Sequence, residues 1–295
     1  MIGAQSMGKI FNLLESLELT SKNTAEIFSE STRDVENLRV FKDSVSDIIF
    51  IDDFFVGDDV YIEGQYREEE ATAQSASIED IADNKRRASD FFNLYKNKII
   101  CDFGCGQGTF LTNTINETKK SIGIEVQDNY LQELNKNNID CYRDIANLDD
   151  HSIDSCFLFH VLEHFEDPIH HLDSIKTKLV EGGKVVIEVP HARDLLIKNL
   201  KIQEFIDFTL WSQHLILHTR ESLNAFLLAA GYTNISIYGT QRFSIANHFK
   251  WAKDGLPGGH NSQLGKMETP ELVNAYLQAL ERIDATDTLI AIAEK

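Results

Sequence analysis

Residues 98–110 read Lys-Ile-Ile-Cys-Asp-Phe-Gly-Cys-Gly-Gln-Gly-Thr-Phe, and this stretch most constrains what the chain can become. An apolar run ends abruptly in glycines at alternate positions, Gly104, Gly106 and Gly108, and then enters a segment able to form a helix. That order predicts a strand, a tight turn and a helix start. Glycine tolerates positive φ and lets backbone N–H groups come close to a ligand. A second short strand, residues 121–125, ends in the carboxylate of Glu125, where open α/β sheets hold a ribose hydroxyl. Together the two features predict a nucleoside-containing cofactor. The dinucleotide spacing G-x-G-x-x-G is not met, because position 109 is Thr, and this argues against NAD.

The rest of the core alternates strands with helices, as in a doubly wound, mostly parallel sheet. A helix is expected from Ile78 to about Lys96. Strands are expected at 140–143, 153–160, 184–189 and 233–238, with a last one at 287–293. Pro168 suits the first turn of a helix that stops at Gly182 and Gly183, and Thr219 and Gly231 bracket another. Residues 1–77 read as an N-terminal helical extension and linker, with helical spacing at 10–19 and strand-like apolar runs at 47–57. The core domain is read as 78–295, with an insert at about 239–284.

Composition excludes several classes. Lys and Arg number 28 against 47 Asp and Glu, a formal charge of −19, which repels phosphate backbones and argues against nucleic acid as a partner. Apolar runs are as short as residues 48–51, so no membrane span is expected. No basic region followed by an apolar core opens the chain, and the expected location is the cytoplasm. The four cysteines, Cys101, Cys105, Cys141 and Cys156, have no C-x-x-C spacing and are read as core or turn thiols without zinc.

Asp102 completes D-x-G-x-G-x-G, which resembles the first motif of the class I S-adenosylmethionine-dependent methyltransferases. The resemblance extends in order through Asp144-Ile145, Phe159-His-Val-Leu-Glu-His164 with Asp167-Pro168, Leu179-Val-Glu-Gly-Gly183 and Ala-Gly-Tyr232, covering residues 98–238. It implies a Rossmann-like sheet of seven strands with the last antiparallel, and S-adenosyl-L-methionine as cofactor. By position it implies that Asp102, Gly104, Gly106 and Gln107 form the cofactor turn and that Glu125 takes the ribose. Asp144 and Ile145 would flank the adenine, with His160 nearby. Tyr61, Gln65 or Tyr66 would supply the lid contact that relatives make before the core.

A methyl on a sulfonium needs an aligned nucleophile and, for a hydroxyl, a base. His191, which ends the fifth strand where many relatives have Pro-Asn, is one candidate base. His214 is the other, because Gln213-His214 with Thr219 resembles the Q-H-x-x-x-x-T/S stretch of sugar-modifying members. His218 is read as a neighbour of the helix capped by Thr219, and His170 and His171 as solvated. His160, Glu163 and His164 would share one helical face. The preferred reading has Glu163 and His164 bonding loop ends, with no metal. The alternative is a divalent metal, as some quinone O-methyltransferases with a similar segment use. Residues 241–260 mix Arg, Asn, His and Trp and resemble the insert of capsule, O-antigen and nucleotide-sugar methyltransferases. The implied partner is a small sugar or nucleotide-sugar, with the extension a possible homo-oligomer contact. An inactive partner subunit is the remaining alternative, and the retained Gly104–Gly108 turn, Glu125 and Asp144 argue against it.

Overall fold

The computed structural model describes residues 8–52, 54, 55, 57 and 78–295. The proposed linker at 71–77 and Tyr61, Gln65 and Tyr66 lie outside the described residues. Three strands precede the core: β1 (Ala25–Ser29), β2 (Val40–Asp43) and β3 (Ile49–Ile51). The core adds β4 (Ile99–Phe103), β5 (Lys120–Ile124), β6 (Asp140–Tyr142), β7 (Ile153–Phe159) and β8 (Leu179–Pro190). After it come β9 (Ile216–Leu217), β10 (Thr233–Thr240) and β11 (Thr288–Glu294).

The main sheet has seven strands in the order β10-β11-β8-β7-β4-β5-β6. Pairs from β8 through β6 are parallel, and β11 lies antiparallel between β8 and β10. Its central strands are covered on both faces, which is why β7 reads as a nearly continuous apolar run. One face packs Cys101, Cys156 and Leu158 against Leu172, Leu223 and Phe226 of the helices Pro168–Lys178 and Arg220–Ala229. The opposite face packs Ile100, Phe157 and Val186 against Phe91, Phe110 and Leu134. This is the doubly wound, Rossmann-like methyltransferase fold that the alternation predicts.

Local chemistry explains the helix ends. Asp167 accepts from the His170 amide with Pro168 in the first turn, and Thr219 forms a reciprocal cap with Ser222. Two boundaries differ from the sequence reading. The helix expected to reach Gly182 stops at Lys178, because fully buried Leu179 is drawn into the sheet opposite Ile153. The helix expected to run from Ile78 to Lys96 is two, Ile78–Asp90 and Phe92–Tyr95. Phe91 breaks it, turning its buried ring onto Phe157 and Phe159.

The N-terminal segment has the expected helix, Lys9–Ser16, but is more than helical. A second sheet of four strands runs β1-β2-β3-β9, all antiparallel. Its last member comes from the connection after β8, so the segment before the core is stitched to the chain that leads into the Thr219-capped helix. Among the described residues no helix is long and apolar enough to cross a membrane.

Phe157 sits at the hub of an aromatic cluster, with Phe110 at 4.9 Å and Phe159 at 5.7 Å between ring centroids. Truncation there leaves a cavity that surrounding rings cannot fill, so Phe157→Ala is expected to cost about 3–5 kcal/mol. Urea unfolding followed by circular dichroism checks this; an unchanged midpoint would remove Phe157 from the core described above.

Candidate active site

The turn after β4 is built from three left-handed glycines, Gly104 (φ 74°), Gly106 (φ 53°) and Gly108 (φ 70°). The Gly104 and Cys105 amides donate to the Ile124 carbonyl, which ties the turn to the end of β5. A Cβ at Gly104 would lie 2.6 Å from Val161 Cγ2, and one at Gly108 2.3 Å from Leu134 Cδ2. Neither position can take a side chain. Glu125 is buried, and its carboxylate accepts from the Gly106 amide at 2.8 Å and the Gln127 amide at 2.9 Å. A carboxylate has about four lone-pair sites, so two backbone donors leave capacity for a diol. Gly104 and Gln107 are exposed, so the turn opens outward.

Asp102 is buried beneath the turn; burial raises its carboxyl to about 7, opposed by the Arg87 charge and reinforced by Glu125. Asp144 is exposed at the end of β6 and caps the short turn Ile145–Asn147 by accepting from the Ala146 amide. The Glu125 amide donates to the Tyr142 carbonyl, so Glu125 and Asp144 stand at neighbouring strand ends.

His160 follows β7 with φ 56°, a left-handed conformation that costs energy in a residue with a Cβ. Its amide donates to the Glu188 carbonyl, and its ring lies between two carboxylates, Nε2 3.2 Å from Glu188 and Nδ1 3.4 Å from Glu163. Glu188 has no exposed surface and receives Arg87 at 2.6 Å and Arg86 at 2.8 Å, both from the helix Ile78–Asp90. Despite the cost of burial, Arg87, then His160 and Arg86, hold its carboxyl well below the usual range. Sequence reasoning missed this knot. Its signals were a Lys-Arg-Arg run in an acidic chain and one charged residue inside the apolar fifth strand.

The structure brings His214 to Glu163 and His164, residues far apart in sequence. Leu215 donates its amide to the Glu163 carbonyl, and His164 Nδ1 lies 2.8 Å from the Gln213 carbonyl. The His164 and His214 rings are 5.0 Å apart, with Trp211 5.1 Å from His214. One carboxylate oxygen of Glu163 and one ring nitrogen each of His164 and His214 lie within 4.8 Å of one another. Burial lowers the His214 pKa to about 3 and leaves the ring neutral. Burial works against the Glu163 carboxylate, while the nearby His160 and His164 rings pull its pKa down to about 2. This cluster abuts the glycine turn, since Val161 contacts Gly104 and Phe165 meets Phe103 edge-on at 5.9 Å.

His191 is not part of that cluster. It is buried, its Nδ1 donates to the Thr286 carbonyl at 2.9 Å, and its charged neighbours are Asp284, Arg220 and Arg193. His218 bridges to it and places Nδ1 3.1 Å from Ser222 Oγ in the cap. His170 is exposed as expected, and His171 is half-buried with its ring stacked on Phe165 at 4.0 Å. In the insert, four polar side chains are engaged by other groups of the protein. Gln241 donates to Asp287, Arg242 pairs with Asp83, Asn247 accepts from Gly258 and Gly259, and His248 meets Tyr276. Asn247 thereby satisfies the insert's own backbone, while Gln241 and Arg242 tie its start to the core. All four cysteines are free thiols.

Burial holds His191 at about 4 and His218 at about 4, against 6.5 for an ordinary imidazole. Between those values the unfolded chain binds protons that the folded one refuses. Their contribution to stability is therefore complete above pH 6.5 and lost as pH falls toward 4. His191→Gln is expected to make the acid-side fall of the urea midpoint shallower; parallel curves for variant and parent would count against a neutral buried ring.

Residues 36–237 match the methyltransferase domain family. The fold is similar to that of a SAM dependent methyltransferase from Archaeoglobus fulgidus (TM-score 0.52, 18% identity, covering 78% of this chain and 99% of that one). It is also similar to the 1,6-didemethyltoxoflavin-N1-methyltransferase of Burkholderia thailandensis (TM-score 0.50, 12% identity, covering 84% and 94%). No curated protein matches the sequence. The chain belongs to the methyltransferase domain family and is a class I methyltransferase whose methyl donor is S-adenosylmethionine.

Proposed function

We propose that the chain methylates a hydroxyl of a sugar, nucleotide-linked and of the kind used in bacterial capsule or O-antigen synthesis. The observation that carries this reading is the group of His164, His214 and Trp211 around buried Glu163, two residues on from Val161, which packs on Gly104 of the glycine turn. Trp211, with the Arg33 guanidinium over its ring at 4.9 Å, forms an aromatic wall beside the imidazoles, which are suited to hydrogen-bonding the hydroxyls of a sugar. The likeness of Gln213-His214 with Thr219 to sugar-modifying relatives points the same way.

In this reading Gly104, Gly106 and Gln107 cradle the methionine end of the donor, above Asp102. Glu125 accepts from the ribose diol, and Asp144 and Ile145 border the adenine. His160 stands between the donor and the acceptor. The three positive-φ glycines and the fixed carboxylate of Glu125 fit such a ligand. Bound there, S-adenosylmethionine supplies a methyl group on a positively charged sulfur, ready for an aligned nucleophile. His214, neutral at physiological pH, faces the acceptor hydroxyl. We assign His191 to the fold, because it is buried and its hydrogen bond is spent on Thr286.

Incubation with S-adenosylmethionine and a panel of nucleotide sugars is expected to yield one sugar heavier by a CH2 group. If no sugar is modified while a catechol or quinol is, the acceptor is a phenol and the sugar reading falls. Glu125→Ala is expected to weaken S-adenosylhomocysteine binding at least about tenfold in calorimetry, since hydrogen bonds to a charged group are worth roughly 1.5–3 kcal/mol. Unchanged affinity would displace Glu125 from the ribose site.

A further inference from the structure

We infer that Glu163, His164 and His214 form a divalent-metal site in the acceptor half of the active site. Glu163 has no exposed surface, yet neither of its oxygens accepts a hydrogen bond. His160 Nδ1 lies 3.4 Å from Oε1, long for an N–H···O bond, and its other nitrogen is turned to Glu188. A buried carboxylate left in this condition is costly, and a bound cation is one of the few groups that resolves it. The Nδ1 atom of His214 is likewise buried without a hydrogen bond.

The ligand nitrogens are prepared for an ion. Nδ1 of His164 donates to the Gln213 carbonyl, which fixes the orientation of the ring. A backbone carbonyl in that role is the usual support of a metal-binding histidine. The Leu215 amide bond to the Glu163 carbonyl holds the two ligand-bearing segments in register. With the three donor atoms within 4.8 Å, small side-chain rotations bring them to the roughly 2.0–2.2 Å bonds of a common ion. Two imidazoles and one carboxylate leave coordination positions open, as in catalytic rather than structural sites. The set suits zinc, iron, cobalt or nickel better than magnesium or calcium, which prefer oxygen.

The position gives the ion its use. It lies beside Val161, the residue against which Gly104 is packed, and so borders the donor turn. An acceptor hydroxyl entering an open position is held in place and its proton made more acidic, leaving to bulk water. That role rests on the acceptor reading above, whereas the site itself does not. It differs from the ligand face expected from the local spacing, because His214 replaces His160 as a ligand.

The test uses the full-length, untagged protein after chelator treatment and dialysis, titrated with Co2+ as a spectroscopic probe. Saturable visible ligand-field bands, lost on adding Zn2+, are expected. Glu163→Gln and His214→Ala should each weaken Co2+ binding at least about tenfold, with S-adenosylhomocysteine affinity kept as the measure of intact folding. No uptake of Co2+ or Zn2+ by protein that still binds S-adenosylhomocysteine overturns the site, as does uptake unchanged in both variants. Sugar methylation without metal uptake overturns the metal alone; metal uptake without sugar methylation overturns the acceptor reading alone.

Discussion

A carboxylate with no exposure, Glu188, ties the helix before β4 to the ends of β7 and β8. It projects from the end of β8, takes Arg86 and Arg87 from the helix before β4, and meets His160 at the end of β7. Arg87 also lies over the Phe159 ring, 4.3 Å from its centroid. Such a buried cluster need not stabilise the fold more than packed apolar side chains would. What it does is specify position, because removing any one partner strands the others in a medium that penalises lone charge. The helix is fixed a second time through Asp83 and Arg242, so it is clamped at both the sheet and the insert.

The turn and strand ends proposed to hold the cofactor were legible in the sequence because they are local. Gly104, Gly106 and Gly108 show in one short run, Glu125 closes the next strand, and Asp144 the one after. Each is set by a single strand end, so order along the chain is order across the sheet. The Glu163, His164 and His214 cluster is assembled from distant pieces. His214 joins Glu163 and His164 through a two-residue strand and one backbone hydrogen bond to Leu215, which no spacing rule shows. The local i, i+3, i+4 rule grouped His160 with Glu163 and His164, but the segment forms only a short tight turn, and the ring of His160 is shared with Glu188.

The small N-terminal sheet was hidden for the same reason. Its strands are brief, and its fourth member lies far along the chain, so alternation had no length over which to appear. The insert presents the opposite case. Gln241, Arg242, Asn247 and His248 look from composition like ligand-binding groups. Their partners are Asp287, Asp83, Gly258 and Tyr276, none of which sequence proximity suggests. Polar residues in a long connection are needed first to close that connection.

The antiparallel strand β11 bears on how this molecule comes together. It occupies the place between β8 and β10, yet it is the last of the sheet to leave the ribosome. Until it arrives, β8 and β10 each present a row of unpaired backbone groups, the kind of edge that recruits other chains. The arriving strand also delivers Thr286 and Asp287, which fix His191 and the start of the insert. Completion of the sheet and the fixing of His191 and of the start of the insert are thus one event.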